Sequence, residues 1–235
     1  MVRIARKDSP ITSWAALPKS GLVLCFGHRR MGKSALSWYL AETLHTKGRD
    51  VVGFDFSLHT RKLLPTWVKH VSNLEALSKL RGAVVVVDEG AFKANARRHE
   101  SDENIMWGKM VAISGQKEHL VLFICQHSRQ LDVNLVGDAD WVLMKRPSLL
   151  HIRFARPEIR PELEQAREKF DQAKGDKRAW SFVVDYHEGK TGFLKNKLPT
   201  FWSEELSKAF ADVIIGQGKE TKTETPRTIL KQERR

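Results

Sequence analysis

Gly27-His28-Arg29-Arg30-Met31-Gly32-Lys33-Ser34 sets two glycines, a lysine and a hydroxyl at the spacing G-x-x-x-x-G-K-[ST]. Those residue types suit one task, the wrapping of a chain of phosphates. Gly27 and Gly32 let the backbone curl so that successive amides, those of Arg30 and Met31 among them, point inward at an anion. Lys33 then reaches the β- and γ-phosphate oxygens, Ser34 offers its hydroxyl to Mg²⁺, and Ala35 adds an amide from the first helical turn. A second constellation lies downstream. Gly82-Ala83-Val84-Val85-Val86-Val87-Asp88-Glu89 carries two carboxylates at the end of an apolar run. Asp88 is placed to orient a water on Mg²⁺, and Glu89 to polarise a water that attacks the terminal phosphate.

Both constellations need a frame. Leu22-Val23-Leu24-Cys25-Phe26 reads as a buried strand entering the glycine loop. Ala35 to Leu44 continues with helical spacing, so the helix beginning near Lys33 adds the positive end of its dipole to the phosphate site. The four valines before Asp88 predict a strand buried on both faces, as at the centre of a parallel sheet. Acids at the carboxyl end of such a strand sit where open α/β sheets bind ligands. His119 to Gln126 is a third apolar strand. If it neighbours the loop strand, its terminal Gln126 lies beside the γ-phosphate and can orient the attacking water.

Other segments fill the frame. Val51 to Phe56 reads as a strand, and Gly48 caps the preceding helix. The stretch from His59 to Lys69 is basic and broken by Pro65. Asn73 is expected to cap a short helix from Leu74 to Leu80. Ala91 to Asn104 is polar and basic and reads as a loop, followed by a helix that Ser101 or Asp102 caps and that runs to about Gln116. Leu131 to Asp138 is a short amphipathic piece. Asp140 to Pro147 and Leu149 to Phe154 are expected to be further strands. Strands alternating with helices imply a mostly parallel sheet covered by helices. Thereafter the spacing predicts a helix over Pro157–Ala173, a hairpin over Trp180–Leu194 turning at His187-Glu188-Gly189-Lys190, and a last helix from Ser203 to Val213.

Composition narrows the partners. The 235 residues carry a formal charge of +12 with a pI near 9.8, which suits a polyanion-facing surface. Apolar content of 41% and charged content of 29% are those of a globular chain. No apolar run is long enough to span a bilayer, and Met1 to Asp8 lacks the apolar centre of a signal peptide. Cys25 and Cys125 both fall in strand-like apolar runs and are expected in the core rather than in a disulfide, in keeping with a cytoplasmic chain.

The glycine loop, the Val-rich strand ending in Asp88-Glu89, and Gln126 at the end of the next strand occur in an order that resembles the additional-strand, catalytic-glutamate class of P-loop ATPases. Within it, Cys125-Gln126-His127-Ser128-Arg129-Gln130-Leu131-Asp132 followed by Gly137-Asp138-Ala139-Asp140 is similar to the FtsK–HerA superfamily. The likeness is greatest to genome-packaging ATPases of tailless icosahedral viruses with an internal membrane, over roughly residues 20–155. It implies an α/β, RecA-like P-loop NTPase fold, with a C-terminal helix–hairpin–helix appendage beyond the matched part. The expected divisions are a lead-in over 1–20, the ATPase core over 21–156, an extension over 157–215 and a basic tail over 216–235. In that tail six Lys or Arg face three Glu.

The resemblance further implies ATP and Mg²⁺ as cofactors and a ring, normally a hexamer, that drives double-stranded DNA through its centre. It assigns Lys33 and Ser34 to the phosphates and metal, Asp88 to the metal, Glu89 to the base and Gln126 to the sensor. A ring also needs an arginine that reaches the neighbour's nucleotide. Arg129 and Arg146 are the candidates, with Arg97 and Arg98 behind them. Capsid or membrane-vertex proteins are expected partners, and the host cytoplasm or the virion the expected location. Two alternatives share part of these motifs. A zonula-occludens-toxin-like assembly ATPase would usually carry a membrane span. A small P-loop kinase or partitioning-type switch would need an acceptor site and an arginine-rich lid, for which the Pro157–Ala173 helix, with acids among its bases, is a poor match.

Overall fold

The computed structural model describes residues 10–88, 100–125 and 137–212. Their centre is an eight-stranded sheet. In chain order the strands are β1 (Gly21–Phe26), β2 (Val51–Phe54), β3 (Val68–Val71), β4 (Val84–Asp88), β5 (Leu120–Ile124), β6 (Trp141–Met144), β7 (Trp180–Asp185) and β8 (Lys190–Lys195). The helices are α1 (Lys33–His45), α2 (Leu58–Leu63), α3 (Leu74–Ser78), α4 (Glu100–Gln116), α5 (Leu149–Arg153), α6 (Arg160–Gln172) and α7 (Glu204–Asp212).

Across the sheet the order is β3-β2-β4-β5-β1-β6-β7-β8. The first six pair in parallel, and β7 and β8 run antiparallel. β5 therefore lies between β1 and β4. The valine run behaves as its composition demands. Val85 and Val87 pack on one face with Trp107 and Met110 of α4 and with Leu163, Ala166 and Phe170 of α6. Val84 and Val86 pack on the other with Leu36, Trp38 and Leu40 of α1 and Leu206 of α7. All four valines are fully buried. A strand with apolar side chains on both faces needs cover on both, and the result is a helix–sheet–helix sandwich.

Cys25 and Cys125 are buried and free. They lie on neighbouring strands, the Cys125 amide donating to the Cys25 carbonyl at 2.9 Å, yet their side chains join opposite faces of the sheet. Alternation of side chains along a strand keeps the two sulfurs apart. Among the described residues no helix is long and apolar enough to cross a membrane.

One expected strand is a helix. Leu149 to Phe154 alternates enough to suggest an extended run, but Leu149–Arg153 forms α5. The Ser148 hydroxyl accepts from the His151 amide at 3.1 Å and so caps the first turn. No sheet edge remains for a strand there, because β6 pairs with β1 on one side and with β7 on the other. Two elements in the basic stretch after Phe56 are additions. Ser57 caps α2, and Val68–Val71 forms the edge strand β3. The hairpin expected from Trp180 onward forms as β7 and β8 and extends the sheet edgewise from β6. The amphipathic piece over 131–138, save its last two residues, and the tail from Gly216 lie outside the described residues.

Candidate nucleotide site at the carboxyl edge of the sheet

Parallel strands end on one edge, and the residues of the glycine loop gather there. β1 is followed at once by Gly27, and the chain turns through Gly32 into α1. Gly27 takes φ +146° and Gly32 φ +82°, the positive values that such a curl requires. Arg30, at φ +61°, adopts a left-handed conformation as well. Three consecutive loop side chains, His28, Arg29 and Arg30, are exposed, so the loop's side chains face outward and its backbone is left to line the inside. No side chain caps α1 at Gly32. The first-turn amides of Lys33, Ser34 and Ala35 thus open toward the loop with the helix dipole behind them.

Lys33 is almost buried, and its ammonium donates to the carbonyls of Gly27 at 3.0 Å and His28 at 3.2 Å. It spans the loop from the inside, within reach of any phosphate the amides would hold. Ser34, one residue on, is half-buried. Asp88 ends β4 as a buried carboxylate. Its Cα is in register with Ile124 of β5, which is in register with Cys25 of β1. Two strand spacings, about 10 Å, therefore separate Asp88 from the start of the loop. Cys125 continues β5 into that gap, its amide donating to the Cys25 carbonyl at 2.9 Å. Glu89, Gln126, Arg129, Arg97 and Arg98 lie outside the described residues.

Arg146 follows β6 at the same edge. Its guanidinium donates to Asp171 of α6 at 2.7 Å, and Arg167 shares that carboxylate at 2.8 Å. The two guanidinium hydrogen bonds hold the Asp171 carboxyl below the usual carboxylate range.

The structure adds a residue that the sequence did not single out. Lys145, fully buried, donates to the carbonyls of Arg178 at 2.8 Å and Trp180 at 3.0 Å and to Asn196 Oδ1 at 2.6 Å. Its backbone presses on the loop: a Cβ on Gly27 would lie 2.7 Å from both the Lys145 carbonyl oxygen and the Lys145 Cβ. Nothing local announces this role, since the partners come from 33 to 51 positions away.

Burial pulls the Lys145 ammonium down from 10.5 to about 7, against smaller upward pulls from Cys25 and Asp176. Its three partners are neutral oxygens, which stabilise the charge less than a carboxylate would. Burial in turn pushes the neighbouring Cys25 thiol up, so it stays uncharged there. Between about pH 7 and 10.5 the unfolded chain therefore binds a proton that the folded chain has lost. Stability from this group grows as pH rises through that interval and is lost as pH falls through 7. The urea midpoint is expected to climb from about pH 7 to 9. A flat profile would mean that Lys145 keeps its charge.

A curled amide loop, an embedded lysine and a buried acid on one edge of a parallel, helix-covered sheet define the class: this is the α/β fold of the P-loop NTPases. No protein-family model matches the chain, and no curated protein sequence does. Solved structures match it in fold. The genome packaging NTPase B204 from Sulfolobus turreted icosahedral virus 2 in complex with ATP-gammaS superposes with a TM-score of 0.56 at 14% identity, covering 76% of this chain and 98% of that one. The same NTPase with AMP gives 0.54 at 16% identity, covering 77% and 100%. The DNA-packaging ATPase B204 from Sulfolobus Turreted Icosahedral Virus gives 0.53 at 15%, covering 76% and 98%.

Proposed function

We propose that this chain is an ATP-hydrolysing motor of the FtsK–HerA superfamily that moves double-stranded DNA, in the manner of a genome-packaging ATPase. The observation that carries the reading is the strand order. β5 is inserted between the loop strand β1 and the acid-bearing strand β4, as in the RecA-like, additional-strand class. That insertion brings a third strand end, the one leading into Gln126, to the place where a triphosphate would be split. The fold neighbours, whose names speak of genome and DNA packaging, support the same reading. So does the charge of +12.

In this reading Gly27, Arg30, Met31, Gly32 and Ala35 wrap the phosphates, and Lys33 neutralises the β and γ oxygens. Ser34 and the buried Asp88, both oxygen donors, would hold a hard divalent ion such as Mg²⁺. Among the described residues no cluster of three or more His, Cys, Asp or Glu offers a complete cage, so phosphate oxygens and water would supply the remaining ligands. The ion would draw charge off the terminal phosphate. Glu89 takes the proton of the attacking water and Gln126 orients it.

The subunits form a ring, with Arg129 or Arg146 serving the neighbour's nucleotide; Arg146 would have to exchange Asp171 for phosphate. Capsid or membrane-vertex proteins are the further partners, at a virion or in the host cytoplasm.

The test is ATP turnover by the purified chain with and without double-stranded DNA. Turnover is expected to rise with DNA, and a rate indifferent to DNA would remove translocation from the reading. Glu89→Gln is expected to lower turnover by about 10²-fold or more while ATP still binds. An unchanged rate would reject Glu89 as the base.

A further inference from the structure

The two ends of the phosphate loop are tied to each other through residues outside it. At the first end Gly27 lies against the Lys145 backbone. The Lys145 ammonium fastens the Arg178 carbonyl at 2.8 Å. At the second end a Cβ on Gly32 would lie 3.7 Å from that same carbonyl oxygen and 3.8 Å from the Arg178 Cβ. The contacts close a circuit: Gly27, Lys145, Arg178, Gly32. Arg178 belongs to the short 3-10 turn Lys177–Ala179, which leads into β7. β7 is antiparallel to β6, so it starts at the carboxyl edge of the parallel strands, where the loop is. An arginine is therefore fixed, by its own backbone, against the start of α1.

Its side chain is engaged but not buried. The guanidinium meets the Asp176 carboxylate through Nη2 at 2.9 Å and Nε at 3.0 and 3.1 Å, and the arginine side chain is 66% exposed. This fork on a planar oxyanion is the geometry with which arginine also takes phosphate. An exposed pair is screened by water and contributes little to the fold. A polyphosphate, with more charge and with first-turn amides already holding it, competes for the fork at small cost. Asp88 marks the flank of the terminal phosphate and metal, two strands to one side of β1. The Arg178 turn stands on the opposite flank, beyond β6, where the phosphates nearer the nucleoside would lie.

We infer that Arg178 is a phosphate ligand of the nucleotide held in the loop of its own chain, on the α- and β-phosphate side, with Asp176 holding the guanidinium until the nucleotide arrives. This rests on the nucleotide-binding reading above. It concerns an arginine acting within one chain, distinct from one serving a neighbour.

The two members of the pair make opposite predictions, which a merely structural ion pair would not. Titration calorimetry of the full chain with ATP, and separately with inorganic tripolyphosphate, decides between them. Arg178→Ala is expected to weaken both ligands about tenfold, the loss of a charge-assisted fork. Arg178→Lys should recover only part, lacking the fork. Asp176→Asn keeps an acceptor for the Arg178 amide, which Asp176 Oδ1 now caps at 2.9 Å, but drops the competing charge. Its binding is expected to be unchanged or tighter. The inference falls if Arg178→Ala binds as wild type does, or if both variants weaken binding alike. It also falls if Arg178→Ala loses ATP but keeps tripolyphosphate, since the contact would then be to the nucleoside. A wild-type chain that takes neither ligand would overturn the nucleotide-binding reading itself.

Discussion

Lys145→Met is expected to destabilise the chain by about 2–4 kcal/mol at pH 10 and to abolish tight ATP binding with it. Two effects compete. A buried ammonium is costly, and exchanging a whole buried ionic group for apolar side chains is often neutral or stabilising. That outcome requires every partner to be replaced together. Here the partners are the carbonyls of Arg178 and Trp180 and the amide oxygen of Asn196, which remain. Asn196 Oδ1 keeps the Ser181 hydroxyl at 3.0 Å. The Arg178 and Trp180 carbonyls lose the Lys145 donor, and each one left unpaired costs about 1–3 kcal/mol. At pH 7 the folded chain bears nearly the whole penalty of the buried group, but by pH 10 the unfolded chain is close to releasing its own proton, so there the relief from removing Lys145 is only about 1 kcal/mol. The orphaned oxygens win. Urea unfolding at pH 10 measures the loss, and the rise in stability between about pH 7 and 9 should vanish in the variant. A variant as stable as wild type would show that the turn over Lys177–Ala179 is held by other contacts.

This residue also marks where sequence reading stops. The glycine loop, the valine strand and the strand before Gln126 were legible because each is a contiguous run whose pattern is the physics: glycines for the curl, unbroken apolar side chains for a strand covered twice. Their adjacency was less so. Only the structure places β5 against both β1 and β4. β3 was missed because Val68-Lys69-His70-Val71 is an edge strand; past the buried Val68 it is half-exposed or exposed, and Lys69 pairs with Asp50 at the surface. α5 was misread because a five-residue helix is too short for its period to show, and the cap at Ser148 outweighs the apolar spacing. The hairpin was legible from its turn, whereas its attachment to β6 was not. Lys145 and Arg178 were invisible for one shared reason: each matters through backbone oxygens and a glycine brought near only by folding, and none of those leaves a mark on neighbouring sequence.

Gly27→Ala is the sharpest test of that seam. Two separate obstacles coincide at Gly27. Its φ of +146° lies where a side chain is strained, at about 1–3 kcal/mol. The added Cβ would also sit 2.7 Å from the Lys145 carbonyl oxygen, inside van der Waals contact and against backbone that Lys145 N–H donation to Phe26 holds at 2.8 Å. Neither obstacle relaxes without moving the other, so the loop must lift off β6. Gly32→Ala is the control. There φ is +82°, a region that some non-glycine residues enter, and the Cβ would find ordinary contacts at 3.7 and 3.8 Å with Arg178. Its cost is expected to be about 1 kcal/mol of backbone strain alone. Both variants bend amides that would hold phosphate, and both are expected to weaken ATP. Only Gly27→Ala should also lower the urea midpoint by the equivalent of about 3 kcal/mol or more, since it breaks the contact between the loop and the strand that carries Lys145. Equal losses in the two variants would mean that strain, and not the approach of Lys145, shapes the loop.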